Sequence, residues 1–219
     1  MEIVPLGDSA LIVRVVDSLG AVLKTLQKLE AASLPGVTEI APAFASVAVF
    51  FESPGKLEAG LASVDVALRG RTRRIKPAVR KRLVEVPVCY DAAFALDLET
   101  VAQHCGLSPN EVVIRHAAAH YDVRCVGFTP GFPFLGGLPA RLATPRREKP
   151  RTLVPAGAVG IGGPQTGIYP LPSPGGWNII GRTPLQLFDV TREPAALLRA
   201  GDGVRFVAIT REEFEAWDR

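Results

Sequence analysis

Residues 121–189 read YDVRCVGFTPGFPFLGGLPARLATPRREKPRTLVPAGAVGIGGPQTGIYPLPSPGGWNIIGRTPLQLFD, and this stretch decides the fold. Glycine and proline recur too often for a helix interior. A disordered segment would lack the Val, Ile, Leu, Phe and Trp that alternate through it. Short strands joined by tight, glycine-dependent turns fit both facts. Their density predicts a closed or nearly closed barrel rather than an open sheet. GIGGPQTG, Gly160 to Gly167, reads as a glycine-hinged hairpin. It is not a phosphate loop: GxxxxGK[ST] is absent, Gln165 stands where the last glycine of GxGxxG belongs, and no helix opens there.

Outward from this stretch, the first 80 residues predict a small α+β domain. Strands parted by a turn at Gly7-Asp8 span residues 2–16. An amphipathic helix follows from Ser18 to Ala32, capped by Asp17 or Ser18, with Val22, Leu23, Leu26 and Leu29 on one face. Pro35-Gly36 ends it. Strands at Val37–Ala43 and Ser46–Phe51 precede a helix at Leu57–Leu68. Arg69 to Arg82, RGRTRRIKPAVRKR, has no interleaved aromatics to stack on bases, so it reads as a solvated linker and not a nucleic-acid patch. The second domain, 81–219, is mainly β. It begins with a strand at Arg82–Tyr90 and helices at Asp97–Cys105 and Pro109–Ala118, the latter capped by Ser108. Leu185–Val190 and Val204–Ile209 read as core strands, with a tight turn at Gly201-Asp202-Gly203 and a last helix at Glu212–Trp217.

A chain of 219 residues with 47% hydrophobic and 21% charged residues can bury one large or two small cores. No apolar run approaches the roughly 20 residues of a membrane span, and the N-terminus lacks a basic start before an apolar run. A cytoplasmic protein with neither membrane nor nucleic-acid partner is expected at the net charge of +3. Cys89, Cys105 and Cys125 fit no disulfide framework and no CxxC site. With two asparagines, one methionine and many prolines, the composition is compatible with heat adaptation or equally with a GC-rich genome.

Nucleophilic and metal chemistry find little support. There is no GxSxG elbow, and Ser173 is followed directly by Pro174. His116 and His120 are four apart but have no glutamate between them, so no metal site is expected. A polar set on the glycine-locked stretch stands out instead: Arg146, Arg147, Arg151, Gln165, Thr166, Tyr169, Trp177, Arg182 and Thr183. Guanidinium matches a carboxylate bidentately, a carboxamide both donates to and accepts from an amide, and Tyr169 and Trp177 offer flat walls with polar tips. A small carboxylated amide suits such a pocket, with Arg182 or Arg147 on the carboxylate, Gln165 and Tyr169 on the amide, and Arg182 and Gln165 sharing one cavity. Phe128, Phe132, Phe134 and Leu135 form an apolar cluster in a loop-like segment and are expected to line a groove or a partner interface.

GFTPGFPFLGGLP, PRREKPRTLVPAGAVGIGGPQTGIYPLPSPGGW and IIGRTPLQLFD closely resemble the family of the 5-oxoprolinase B subunit. That family also holds the kinase A inhibitor of sporulating bacteria and allophanate hydrolase subunit 1, with relatives inside urea carboxylases. The likeness is dense from His116 to Ile209, and departs from the family pattern at Ala158, usually serine, and Phe134, often tyrosine. It implies a cyclophilin-like β-barrel and raises His116 above a packing residue, to one expected with Thr166 among the substrate-binding side chains. It also implies a component of ATP-dependent 5-oxoprolinase, an amide (lactam) hydrolase inactive alone, which works with subunits C and A to open 5-oxo-L-proline to L-glutamate. On this reading the chain alone binds no cofactor, and the complex requires ATP and Mg. The alternatives are an inhibitor of a sensor histidine kinase and a urea or allophanate amidolyase component.

Overall fold

The computed structural model describes residues 1–70 and 82–217. The expected linker, Arg69 to Arg82, therefore lies almost wholly outside the described residues. Internal contacts divide the chain into two compact units, Met1–Lys81 and Arg82–Arg219.

In the first unit, β1 (Glu2–Leu6), β2 (Ala10–Arg14), β3 (Val37–Ala43) and β4 (Ser46–Phe51) form an antiparallel sheet in the order β1-β2-β4-β3. Period-two alternation sends Leu11 and Val13 of β2, and Val47, Val49 and Phe51 of β4, to one face. There they meet Val22 and Leu29 of α1 (Leu19–Ala31) and Val64 and Leu68 of α2 (Leu57–Arg69). The Ser18 hydroxyl caps α1 by accepting from Ala21 N at 3.3 Å. Lys28 ties the helices together by donating to the Leu68 carbonyl at 3.0 Å. Gly60, inside α2, is required by packing: a Cβ there would stand 2.3 Å from the Phe51 ring.

The second unit is a closed barrel with small helices. Its strands are β5 (Leu83–Cys89), β6 (Tyr121–Val126), β7 (Pro133–Gly136), β8 (Arg151–Val154), β9 (Ala158–Gly162), β10 (Gln165–Ile168), β11 (Ser173–Gly175), β12 (Asn178–Arg182) and β13 (Gly203–Ile209). The barrel closes in the order β10-β7-β6-β13-β5-β12-β9, while β8 and β11 pair separately. Every barrel pair is antiparallel except β5 with β13. The β9–β10 hairpin turns through Gly163-Pro164, with Gly163 at φ +64° and proline fixed near −65°. A left-handed glycine at the first position of a two-residue loop suits the twist of adjacent strands.

Among the described residues three α-helices and a short 3-10 turn at Ala140–Leu142 complete this unit, the helices being α3 (Leu98–Cys105), α4 (Pro109–Ala118) and α5 (Arg211–Glu215). Gly106 ends α3 in the left-handed region, and reciprocal capping boxes, Ser108 with Glu111 and Thr210 with Glu213, start α4 and α5. The barrel interior packs Val86, Val88, Val123, Leu135, Val159, Ile161, Ile168, Ile180, Val204 and Phe206. No helix among the described residues is long and apolar enough to cross a membrane.

One expected strand does not form. Leu185–Val190 makes only an isolated bridge, Phe188 to Ala196. Its backbone pairs only briefly, by Leu197 N to Leu187 O at 2.8 Å and Asp189 N to Ala195 O at 2.9 Å, and Arg192 bridges the same loop by donating to Gln186 O, Leu187 O, Pro194 O and Ala195 O.

Outside the barrel wall, Trp177 lies on a floor of glycines. A Cβ at Gly162 would stand 2.6 Å from the indole and at Gly167 3.0 Å, while one at Gly160 would stand 3.2 Å from the Trp177 Cβ and from Ile179 Cδ1. Gly162→Ala should therefore displace Trp177 and cost about 1–3 kcal/mol. Chemical denaturation with tryptophan emission will show it, and an unchanged midpoint and spectrum would refute the floor.

Candidate functional site

Asp97 organises the polar side chains of the second unit. As the residue before α3 it could have capped that helix, but its carboxylate makes no capping bond. It is 3% exposed and accepts from Arg147 Nη1 at 2.7 Å, from Arg151 Nη1 and Nη2 at 2.8 Å, and from the Ile179 amide at 2.7 Å. One carboxylate thus anchors α3 to β8, β12 and the segment at 145–150. That segment is further pinned by Arg147 N to Gly176 O at 2.7 Å and by Asn178 Nδ2 to Pro145 O at 2.8 Å. Arg147, expected to grip a ligand carboxylate, is already spent on Asp97. Asp97 itself carries no local signal beyond that of a helix cap, so sequence reading missed it.

His116 and Thr166, expected to touch a ligand, lie fully buried inside the barrel. Thr166 Oγ1 donates its single proton to the Gly160 carbonyl at 2.9 Å. Its oxygen must then accept from His116 Nε2 at 3.0 Å, so Nε2 carries the proton. Nδ1 is left to accept from the Tyr90 hydroxyl at 2.8 Å. Phe206 stacks on the imidazole at 4.5 Å. Burial alone pushes the His116 pKa down to about 3, and the same burial raises the Tyr90 phenol. The imidazole is a neutral crossbar of the core with both nitrogens committed.

Tyr169, Trp177, Phe128, Phe132 and Phe134 converge on an aromatic cleft of about 360 Å³ outside the wall. Phe132 is its centre, set edge-on against Tyr169 at 5.1 Å, Trp177 at 5.5 Å and Phe128 at 5.6 Å. Arg146 stands at the rim with its guanidinium carbon 5.7 Å from the Trp177 ring, a cation–π distance. Burial pushes the Tyr169 phenol up, while the Trp177 backbone and the cations of Arg146 and Arg151 pull it down. Phe128 is 67% exposed and held at φ +71°, a conformation bulky residues seldom adopt. Residues expected to bind substrate and residues expected to meet a partner thus share one cleft. Leu135 does not join them: it is wholly buried in the barrel core, because alternation along β7 turns it inward.

Arg182 lies elsewhere, in a cavity of about 540 Å³ also lined by Thr183, Gln186, Arg192, Phe214 and Trp217. Gln165, half-buried at the start of β10, lines neither this cavity nor the aromatic cleft. Arg182 and Gln165, expected to share a cavity, are thus not brought together in either one.

Residues 1–198 match the family described as carboxyltransferase domain, subdomain C and D. The chain is 42% identical to the 5-oxoprolinase B subunit of Bacillus subtilis (strain 168) over 230 residues, 99% of this chain and 96% of that protein. To the 5-oxoprolinase B subunit of Escherichia coli O157:H7 it is 48% identical over 174 residues, 80% of this chain and 79% of that one. Among solved structures, TTHA0988 superposes with a TM-score of 0.76 at 38% identity, over 91% of this chain and 40% of that chain.

The buried imidazole fixes a pH dependence. Its folded pKa of about 3 lies below the ordinary 6.5, so between these values the unfolded chain binds the extra proton. This group's contribution is complete above pH 6.5 and is lost, at about 1.4 kcal/mol per pH unit, as pH falls toward 3. Urea unfolding from pH 7 to 4 should show His116→Gln, which keeps a donor and an acceptor, with a shallower slope than the parent; equal slopes would contradict the buried neutral imidazole.

Proposed function

The chain belongs to the family of the 5-oxoprolinase B subunit, and on that premise we propose that it is the B component of an ATP-dependent 5-oxoprolinase, inactive alone and completed by subunits A and C. The observation that carries this reading is the end-to-end similarity to a protein of that name: 99% of this chain lies against 96% of the relative, leaving no large part unmatched on either side. The solved relative TTHA0988 extends well beyond the part that this chain covers. A barrel working beside further polypeptide agrees with that proportion. We read the barrel as cyclophilin-like.

The chemistry sets what such a component must do. A lactam is resonance-stabilised, so its carbonyl oxygen is activated by phosphoryl transfer from ATP with Mg, which releases ADP. A first water adds to the carbon, and the C–N bond breaks to leave an acyl phosphate with a free amine. A second water hydrolyses that acyl phosphate to glutamate and phosphate. A chain without a phosphate loop contributes by holding the lactam and excluding water rather than by handling the phosphoryl donor. Two places in the barrel offer polar or flat groups for this work. Arg182 supplies a guanidinium that forms no ion pair among the described residues, and the Tyr169–Trp177 cleft supplies flat walls that continue outward to the exposed Phe128. His116 and Thr166 act from behind, stiffening the strand that carries Gln165.

The aromatic cleft is the contact for the C subunit. Phe132 is 2% exposed and its removal would damage the fold, whereas Phe128 is 67% exposed and can be changed without opening the core. Coexpression with subunits A and C should yield ATP-dependent glutamate release from 5-oxoproline that depends on this chain. Release without it, or none with the full set, would defeat the proposal. Phe128→Asp should reduce co-purification of the C subunit at least tenfold, roughly the loss expected on placing a charge in a desolvated apolar contact. An intact complex would remove the cleft from the interface.

A further inference from the structure

The cavity at Arg182 has a chemistry of its own. Nε of Arg182 donates to the Ala156 carbonyl at 2.9 Å. The guanidinium carbon lies 5.9 Å from the Phe94 ring and 5.8 Å from the Phe214 ring, and these rings pack together at 4.5 Å. The fork is therefore held in position at its base and across its face. Nη1 and Nη2 form no ion pair with any described carboxylate, and they stand at a cavity of about 540 Å³. The other cation in the lining, Arg192, spends its guanidinium on four backbone carbonyls. No aspartate or glutamate among the described residues lines the space, and Leu197 and Trp217 give it apolar walls.

We propose that this cavity is a binding site for organic monocarboxylates that carry no ammonium group. The carboxylate takes the two free Nη groups in a bidentate pair, the geometry guanidinium matches best, and the body of the acid lies against the apolar walls. An amino acid is refused. Its ammonium would stand beside two fixed cations with no carboxylate to balance it, an unpaired charge in a partly desolvated space. Taken with the function proposed above, on which this clause rests, the site separates substrate from product: 5-oxoproline bears an amide nitrogen, and ring opening creates an ammonium.

Two acids of the same ring size isolate the rule. Cyclopentanecarboxylate has the carboxylate without a nitrogen, and proline has the same carboxylate beside an ammonium. Calorimetric titration of the full chain, alone and in the co-purified complex, should show cyclopentanecarboxylate and 5-oxoproline binding at least about tenfold more tightly than proline and glutamate. Arg182→Gln should weaken the two favoured acids by about 10–100-fold. Arg182→Lys, which keeps the charge but not the fork, should weaken them less and keep the bias against proline. Equal binding of proline and cyclopentanecarboxylate, no binding of either favoured acid, or no loss in Arg182→Gln overturns the proposal. Binding of 5-oxoproline without turnover by the assembled complex would sink the proposed reaction and leave the cavity intact. Turnover with no acid bound here would do the reverse.

Discussion

A single buried carboxylate holds the second unit's working surface in register. Asp97 faces two guanidiniums and a main-chain amide, and each partner comes from a different piece of chain. Removing water from a carboxylate is costly unless its lone pairs are met, and here four donors meet them. The arrangement orients more than it stabilises. By fixing Arg147 it fixes Arg146, the neighbour that reaches the Trp177 face, and so sets the rim of the aromatic cleft. Two positive charges against one negative charge also leave the 145–151 segment electropositive.

The absence of side chains is used as deliberately as their presence. Trp177 can lie flat on the barrel only because Gly160, Gly162 and Gly167 offer bare backbone. Gly175 does the same for the Tyr169 hydroxyl, where a Cβ would stand 2.3 Å away. Inside the wall, the Tyr90–His116–Thr166–Gly160 chain resists shear along the same strands. The cleft thus has a floor that cannot relax inward and aromatic walls with few rotamers, conditions that favour a preformed site.

Much of the fold was legible because its signals are local. Ser18, the Ser108–Glu111 box and the Gly163-Pro164 turn each declare an element boundary within four residues. The barrel followed from strand density. Leu185–Val190 misled because its apolar residues alternate as in a strand, while its backbone meets only residues 195–197 of the same loop, which Arg192 braces through Gln186 O and Leu187 O, and no periodicity reveals that. The site was legible as a region and not as a geometry. Residue chemistry drew attention to Arg147 and Arg182, and the family resemblance to His116. Only packing distinguishes an arginine bound to Asp97, an imidazole locked in the core and a guanidinium facing open space. Phe94 and Phe214, 120 positions apart, frame Arg182 without any shared motif to announce it.

The placement of β13 bears on how the protein is made. This strand lies between β5 and β6, in parallel with one and antiparallel to the other, although it follows every other barrel strand in sequence. During translation the cylinder cannot seal until that late segment leaves the ribosome, so two hydrogen-bonding edges wait unpaired. Long-range pairing of this kind slows folding and exposes nascent chains to mispairing. Closure of the cylinder therefore waits on its last strand, and until that strand is made the edges of β5 and β6 stay open to other partners.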